Sequence, residues 1–349
     1  MNNEQYMQRA LQLAKNGLGS VSPNPMVGCV ITHNDVIIGE GWHQQFGKAH
    51  AEVNAINSVE DKSLLSEATV FVTLEPCSYV GKTPACSDLL INSGVKKVVI
   101  SVLDPNPKVS GNGIKALKVS GIGVETGVLE NDSITLNKRF FINQHLHRPY
   151  IILKWAETKD AFIARKNFDS KWISNEFSRQ LVHKWRAEED AILVGKNTAN
   201  YDNPLLTVRD WEGENPIRII LDRNLELSAK LNLFNGEVET LVYNLKENKK
   251  DKGVELVKIE DPNFIPHLIK DLYDRKIGSM IIEGGSQVLS QFIELGIWDE
   301  ARVFSSGQLF GEGINAPELK QSSSKREQIK ENELNYYFNS KTAIHWQKN

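Results

Sequence analysis

His50-Ala51-Glu52, taken together with Pro76-Cys77 and with Cys86, is the stretch that decides how the first half of this chain is read. A helix is predicted from about His50 to Val59. Strand-like runs at Thr69 to Leu74 and Val95 to Val102 alternate with helical patterns at about Ala85 to Ser93 and Gly113 to Ser120. That alternation is α/β layering: His50 opens a predicted helix, Cys77 follows a strand, and Cys77 and Cys86 each stand near a predicted helix start. Two thiolates and one imidazole make a zinc set of three protein ligands with the fourth position left for water, which is the arrangement of a catalytic site. A helix N-terminus and a metal both favour thiolate over thiol. Glu52 then lies close to the water without being a ligand. Its role is to take a proton from water and hand it to a leaving nitrogen, while zinc brings the water pKa toward about 7.

Outward from this core, Met7, Ala10, Leu11 and Ala14 recur at helical spacing and stop at Gly17, an amphipathic helix closed by glycine. Val27 to Thr32 and Val36 to Gly39 flank His33-Asn34-Asp35 as a hairpin, and Cys29, mid-strand, reads as a small core residue. The helical pattern ends in a polar stretch closed by Pro149, so the domain boundary falls between residues 1–146 and 147–349. A second α/β unit follows. Its predicted strands are Tyr150 to Trp155, Ala191 to Val194, Ile217 to Leu221 and Ser279 to Ile282, with helices near Glu176 to Trp185 and Ser286 to Leu295. Glu247 to Gly253 and Ser322 to Asn332 read as charge-rich loops, and Asn335 to Asn339 with Thr342 to Trp346 as a closing hairpin.

The chain has 349 residues, 40% of them hydrophobic and 24% charged. At roughly 150 residues per domain this length suggests two ordinary globular domains. A net charge of −3 argues against a nucleic-acid-binding face. No apolar run approaches the roughly 18 residues that cross a bilayer, and the start of the chain lacks a signal-peptide pattern. Three cysteines are too few for a disulfide framework, so a reducing cytoplasm is the expected compartment.

H-x-E followed by P-C and a second cysteine is the pattern of zinc nucleobase deaminases, here with Ser78 to Ala85 between the cysteines where that pattern has two residues. The longer spacing, Pro23-Asn24-Pro25-Met26-Val27-Gly28-Cys29-Val30, Gly41-Trp42-His43 and Asp104-Pro105-Asn106-Pro107 together resemble one family, the bifunctional riboflavin-biosynthesis deaminase/reductase, over essentially the whole chain. The resemblance implies an N-terminal cytidine-deaminase-like α/β/α domain and a C-terminal dihydrofolate-reductase-like α/β domain. It implies hydrolytic deamination of 2,5-diamino-6-ribosylamino-4(3H)-pyrimidinone 5′-phosphate, then NADPH-dependent reduction of the ribosyl chain to give 5-amino-6-ribitylaminouracil 5′-phosphate. The matching positions make His50, Cys77 and Cys86 the zinc ligands and Glu52 the proton shuttle. Asn24 and Lys82 are substrate-contacting candidates. The sequence departs from the family at Tyr79 and Ala85, neither a ligand.

In the second half, Lys154-Trp155-Ala156, Lys171-Trp172-Ile173-Ser174, Asp202-Asn203-Pro204 and Glu283-Gly284-Gly285 come in the family's reductase order. Ile281 to Ser286 is a strand running through two glycines into a helix, whose free N–H groups suit a pyrophosphate. By resemblance, NADPH is met by Ala156, Trp172, Thr198, Asp202 and the run Gly285, Ser286, Gln287, Val288, Leu289, Ser290 and Gln291. Ser170, Arg186, Leu206, Arg209 and Glu283 match substrate-contacting positions. Arg186 and Arg209 suit a sugar phosphate because a guanidinium offers two parallel donors. Lys154 and Asp202 both suit proton delivery, and position does not rank them. Where the family often has a glycine, Thr158-Lys159-Asp160 is followed by Ala161. The family implies a homo-oligomer with a small-molecule substrate and no nucleic-acid partner.

Gly111-Asn112-Gly113-Ile114-Lys115-Ala116 fits a dinucleotide fingerprint but stands away from its strand, and reads as a glycine-rich loop of the first domain. Two other functions share some of these residues. A nucleoside or tRNA deaminase predicts a basic groove or a lone domain, and a zinc-stabilised binding protein leaves Glu52 and the second half without a purpose.

Overall fold

The structure is a computed structural model that describes residues 1–78, 85–107, 109–260 and 263–343. The chain divides into two compact units, Met1–His147 and Arg148–Asn349.

The first unit runs α1 (Asn3–Ala14), β1 (Gly28–His33), β2 (Val36–Trp42), α2 (Ala51–Ser58), β3 (Thr69–Leu74), α3 (Cys86–Asn92), β4 (Lys97–Val102), α4 (Asn112–Val119), β5 (Gly123–Thr126), α5 (Glu130–Leu136) and α6 (Lys138–Leu146). Its strands form one sheet in the order β2-β1-β3-β4-β5. The β1–β2 and β1–β3 pairs are antiparallel, and β3, β4 and β5 run parallel, joined by helical crossovers. Asn34 and Asp35 both take positive φ, which gives the hairpin a turn matched to strand twist. Central strands buried on both faces carry continuous apolar runs, and alternate residues divide between two cores. Val70 and Val72 pack with Ala55, Leu90 and Leu117 on one face, while Phe71 packs with Met7 and Ala10 of α1 on the other. Cys29 is fully buried in the first of these cores.

The second unit runs β6 (Tyr150–Glu157), β7 (Phe162–Ala164), α7 (Glu176–Glu188), β8 (Ala191–Gly195), α8 (Lys196–Asp202), β9 (Ile217–Leu221), β10 (Thr240–Asn244), β11 (Lys249–Asp251), β12 (Val254–Lys258), α9 (Phe264–Asp274), β13 (Ser279–Ile282), α10 (Ser286–Leu295), β14 (Glu300–Ser305), β15 (Ile314–Asn315), β16 (Lys325–Ile329), β17 (Asn332–Phe338) and α11 (Ser340–Ala343). Its large sheet has the order β11-β12-β10-β9-β8-β13-β6-β14-β17-β16. Strands β6, β8, β9 and β13 are mutually parallel, so their C-terminal ends share one edge, where α/β sheets place their ligands. Helix α9 was not anticipated, although Phe264, Ile265, Leu268, Ile269 and Leu272 recur at helical spacing and pack with Phe292 under the sheet.

Three sequence expectations are corrected here. The closing hairpin pairs β17 with β16, which lies inside the stretch read as a charged loop. Residues 340–343 form a helical turn instead of a strand, and 344–349 lie outside the described residues. The other charged stretch contains β11. Both strands lie at the ends of the sheet, where charged residues guard an unpaired edge and erase the apolar alternation that marks an inner strand.

Candidate active sites

In the first unit three elements converge on one point. His50 is the N-cap of α2 with no cap bond of its own, so its ring is free to face the sulfurs; Cys77 follows β3; Cys86 opens α3. Their ligand atoms all lie within 4.8 Å of one another, and among the described residues no other such group is gathered. His50 Nδ1 stands 3.3 Å from Cys86 Sγ and 3.6 Å from Cys77 Sγ. Tetrahedral zinc, with bonds of about 2.0 Å to nitrogen and about 2.3 Å to sulfur, holds its ligands roughly 3.5 Å apart. The donor set fits that ion in type and spacing. Hydrogen bonding from Cys86 outweighs burial and, with help from His50, draws the Cys77 thiol down to about 4. The Cys86 amide donates to the Cys77 sulfur at 3.3 Å.

Glu52, in the first turn of α2, is 3% exposed. Burial, and after it the charge of the Cys77 sulfur, push its carboxyl up to about 7. Such a group gains and loses a proton near neutrality, as a shuttle must. Sequence reasoning gave His43 no role. Its ring is buried edge-on to His50 at 5.4 Å between centroids, with Nε2 3.2 Å from Asn24 Nδ2 and Nδ1 3.0 Å from the Ala49 carbonyl. Tyr79 and Lys82 lie outside the described residues.

In the second unit a cavity of about 910 Å³ opens at the shared C-terminal edge of β6, β8, β9 and β13. Ala156, Trp172, Thr198, Asp202 and the run from Gly285 to Gln291, Ser290 excepted, line it, and so do Ser170, Arg186, Leu206, Arg209 and Glu283. Gly285 starts α10 at φ 66° without a side-chain cap, which leaves the first amides of the helix open toward the cavity. The two arginines differ. Arg186 is held in place: its Nε and Nη2 grip the Glu283 carboxylate at 2.8 and 2.9 Å, and Nη1 donates to the Thr207 carbonyl at 3.1 Å. Arg209 is exposed, with its Nη1 3.4 Å from Thr207 Oγ1. Burial raises the carboxyl of Glu283, but Arg186 and then Lys154, 3.7 Å away, outweigh it and hold the group at about 2.

Both halves of the chain have known counterparts. Residues 1–102 match the cytidine and deoxycytidylate deaminase zinc-binding region, and residues 149–340 match the RibD C-terminal domain. The chain is 42% identical to the riboflavin biosynthesis protein RibD of Aquifex aeolicus, over 91% of this chain and 90% of that protein. It is 35% identical to RibD of Escherichia coli over 89% of each. The crystal structure of a diaminohydroxyphosphoribosylaminopyrimidine deaminase/5-amino-6-(5-phosphoribosylamino)uracil reductase from Thermotoga maritima superposes with a TM-score of 0.89 at 40% identity, covering 97% of this chain and 98% of that one. This chain belongs to the RibD family. It is a bifunctional deaminase and reductase of riboflavin biosynthesis, with zinc as the metal of its deaminase and NADPH as the reductant of its reductase.

Ala161 keeps the turn for which the family often uses glycine, at φ 62°, a conformation that costs an L-residue roughly 1–2 kcal/mol. Its amide donates to the Thr158 carbonyl at 2.9 Å, and Asp160 accepts from the amides of Phe310 and Gly311. Sequence reasoning also passed over Lys196 and Arg223, which line the RibD reductase cavity from the ends of β8 and β9. Each looks like an ordinary surface cation, and only the parallel register of those strands brings them to one edge. No helix among the described residues is long and apolar enough to cross a membrane.

Proposed function

We propose that the first unit removes the 2-amino group of 2,5-diamino-6-ribosylamino-4(3H)-pyrimidinone 5′-phosphate by hydrolysis, and that the second reduces the ribosyl chain of the product to give 5-amino-6-ribitylaminouracil 5′-phosphate. The observation that carries this reading is the gathering of His50, Cys77 and Cys86 beside a buried carboxyl. His50, Cys77 and Cys86 hold the zinc, which when bound supplies the Lewis acidity that brings a water pKa toward about 7. Glu52 takes the proton from the attacking water and delivers it to the amino nitrogen, which leaves as ammonia. Asn24, steadied by His43, and Lys82 contact the substrate.

In the reductase, NADPH when bound supplies the hydride. Ala156, Trp172, Thr198, Asp202 and the start of α10 hold the cofactor, with the amides after Gly285 toward its pyrophosphate. Ser170, Leu206, Arg209 and Glu283 face the substrate. Arg209 takes the sugar phosphate, since its exposed guanidinium can offer a charge-assisted bond beside its contact with Thr207 Oγ1. Arg186 acts through Glu283, keeping it ionised and in place. Lys154 is the proton donor: burial lowers its pKa and Glu283 fixes its ammonium, whereas the Asp202 carboxylate already accepts from Ser170 Oγ at 3.3 Å. The same reading makes the protein a cytoplasmic homo-oligomer without a nucleic-acid partner, in keeping with its net charge of −3.

Pure chain given the diaminopyrimidine substrate is expected to release ammonia without NADPH and to form the ribityl product only with it. Glu52→Gln is expected to keep its zinc and its reduction of already deaminated substrate, while deamination falls by about 10²-fold or more, the usual worth of a positioned acid/base group. Near-normal deamination by that variant sinks the role given to Glu52.

A further inference from the structure

The glycine-rich stretch that imitates a dinucleotide fingerprint is occupied by the protein's own carboxylate. Helix α4 begins at Gly111, which takes φ 78° and has no side chain with which to cap the helix. The amides at its start turn to Glu75, whose side chain reaches them from the end of β3. Glu75 Oε2 accepts from the amides of Gly111 at 3.0 Å and Asp104 at 3.4 Å, and Oε1 accepts from Gly113 at 3.0 Å and Ile114 at 3.3 Å. Glu75 is 3% exposed, and its own amide donates to the Val102 carbonyl at 3.0 Å. Four backbone donors thus converge on one buried carboxyl at the start of a helix.

This joint lies beside the metal ligands. Pro76 follows Glu75 and Cys77 follows Pro76, so two rigid links separate the clamp from the ligand. Gly113 closes the other side, since a Cβ there would strike the Pro76 carbonyl oxygen. Beyond Pro76 the Cys77 carbonyl accepts from the Ser87 amide at 3.1 Å, and its sulfur from the Cys86 amide. The segment is gripped on both sides of the ligand.

We propose that Glu75 is a positioning residue for the zinc site: by binding the amides at the start of α4 it fixes Pro76-Cys77 and thereby the direction in which Cys77 presents its sulfur alongside His50 and Cys86. The proposal rests on Cys77 being a ligand. If Glu75 did no more than cap α4, its loss would lower stability and leave the metal untouched; if it positions Cys77, the metal must register the change.

The test uses metal-free full-length chain titrated with cobalt(II), whose absorption from sulfur-to-metal charge transfer reports the geometry of the bound thiolates, and with zinc against a chromophoric chelator. Glu75→Gln removes the charge and half of the acceptor capacity at almost constant shape. It is expected to shift the cobalt charge-transfer band and to weaken zinc by about ten- to a hundredfold, the usual effect of losing a group that orients a ligand. Reduction of already deaminated substrate with NADPH is expected to stay at the parent rate. Should Glu75→Gln not fold, Gly113→Ala carries the test, because it pushes the same Pro76 carbonyl from the other side. A parent-like cobalt spectrum and zinc affinity in the folded variant overturn the proposal. Cys77→Ser runs alongside: if it too keeps the parent band, the ligand assignment has failed; if it alone loses the band, only the role of Glu75 has.

Discussion

Glu52 in the first unit and Glu283 in the second are both buried carboxyls at catalytic sites, yet the environment pushes one up to about 7 and holds the other at about 2. Burial raises both. No cation outweighs it for Glu52, whose neighbouring sulfur adds negative charge, whereas Glu283 is gripped by the fork of Arg186 with Lys154 behind it. The difference suits the work proposed for each. A carboxyl that passes protons must lie near neutrality, and one that fixes a lysine and an arginine around a cavity must keep its charge.

The largest expected effect removes the surroundings of the first carboxyl. A Cys77→Ser, Cys86→Ser double variant is expected to lose its zinc and all measurable deamination, while reduction of deaminated substrate continues. Metal analysis beside the two assays checks this, and full zinc content in the double variant, or loss of zinc in Cys29→Ser, breaks the assignment.

Next comes the counter-charge of Glu283. Arg186→Ala leaves a buried carboxylate without its main partner, a change that costs about 3–5 kcal/mol. The measurement is denaturant unfolding of the reductase unit. The sign in pH follows from linkage: the folded pKa of Glu283 lies below its unfolded value of roughly 4.3, so the folded state binds fewer protons there. Stability from this group is therefore complete above about pH 4.3 and drains away as pH falls toward 2. In Arg186→Ala, burial acts with less opposition, and the acid-unfolding midpoint is expected to move to higher pH. An unchanged midpoint would mean that Lys154 alone holds the charge.

The smallest effect isolates a cation outside the pair. Arg209→Ala is expected to raise the reductase KM by about tenfold, taking one charge-assisted bond at about 1.5 kcal/mol, and to leave unfolding unchanged. If unfolding moves and KM does not, Arg209 belongs to the fold.

What could be read in advance divides along the same line. His50, Cys77 and Cys86 stood out because one imidazole and two thiols, set at helix starts and a strand end, form a donor set that suits zinc and little else. Glu75, in the next position but one to Cys77, gave no sign, because a glutamate that caps a helix distant in the chain looks like any other. The same holds for Arg186. Its residue type suggested a phosphate, and only the meeting of α7 with the end of β13 gave it Glu283 instead. Strands β11 and β16 were hidden by their charges, since an edge strand is defined by what lies beside it and not by its own period.

By itself the sequence pointed to two α/β halves, to the central strands β3, β4, β6, β8, β9 and β13, and to the one set of metal donors that the fold gathers, because each depends on residue type and on spacing within a few turns of chain. Tertiary structure alone decided which carboxylate meets which cation, which amides hold Glu75, and that the ends of β6, β8, β9 and β13 make one cavity. Those outcomes depend on strand register and on contacts between residues such as Arg186 and Glu283, 97 positions apart in the chain. The energy of a buried charge is set by the neighbours that packing supplies, and no local pattern encodes them.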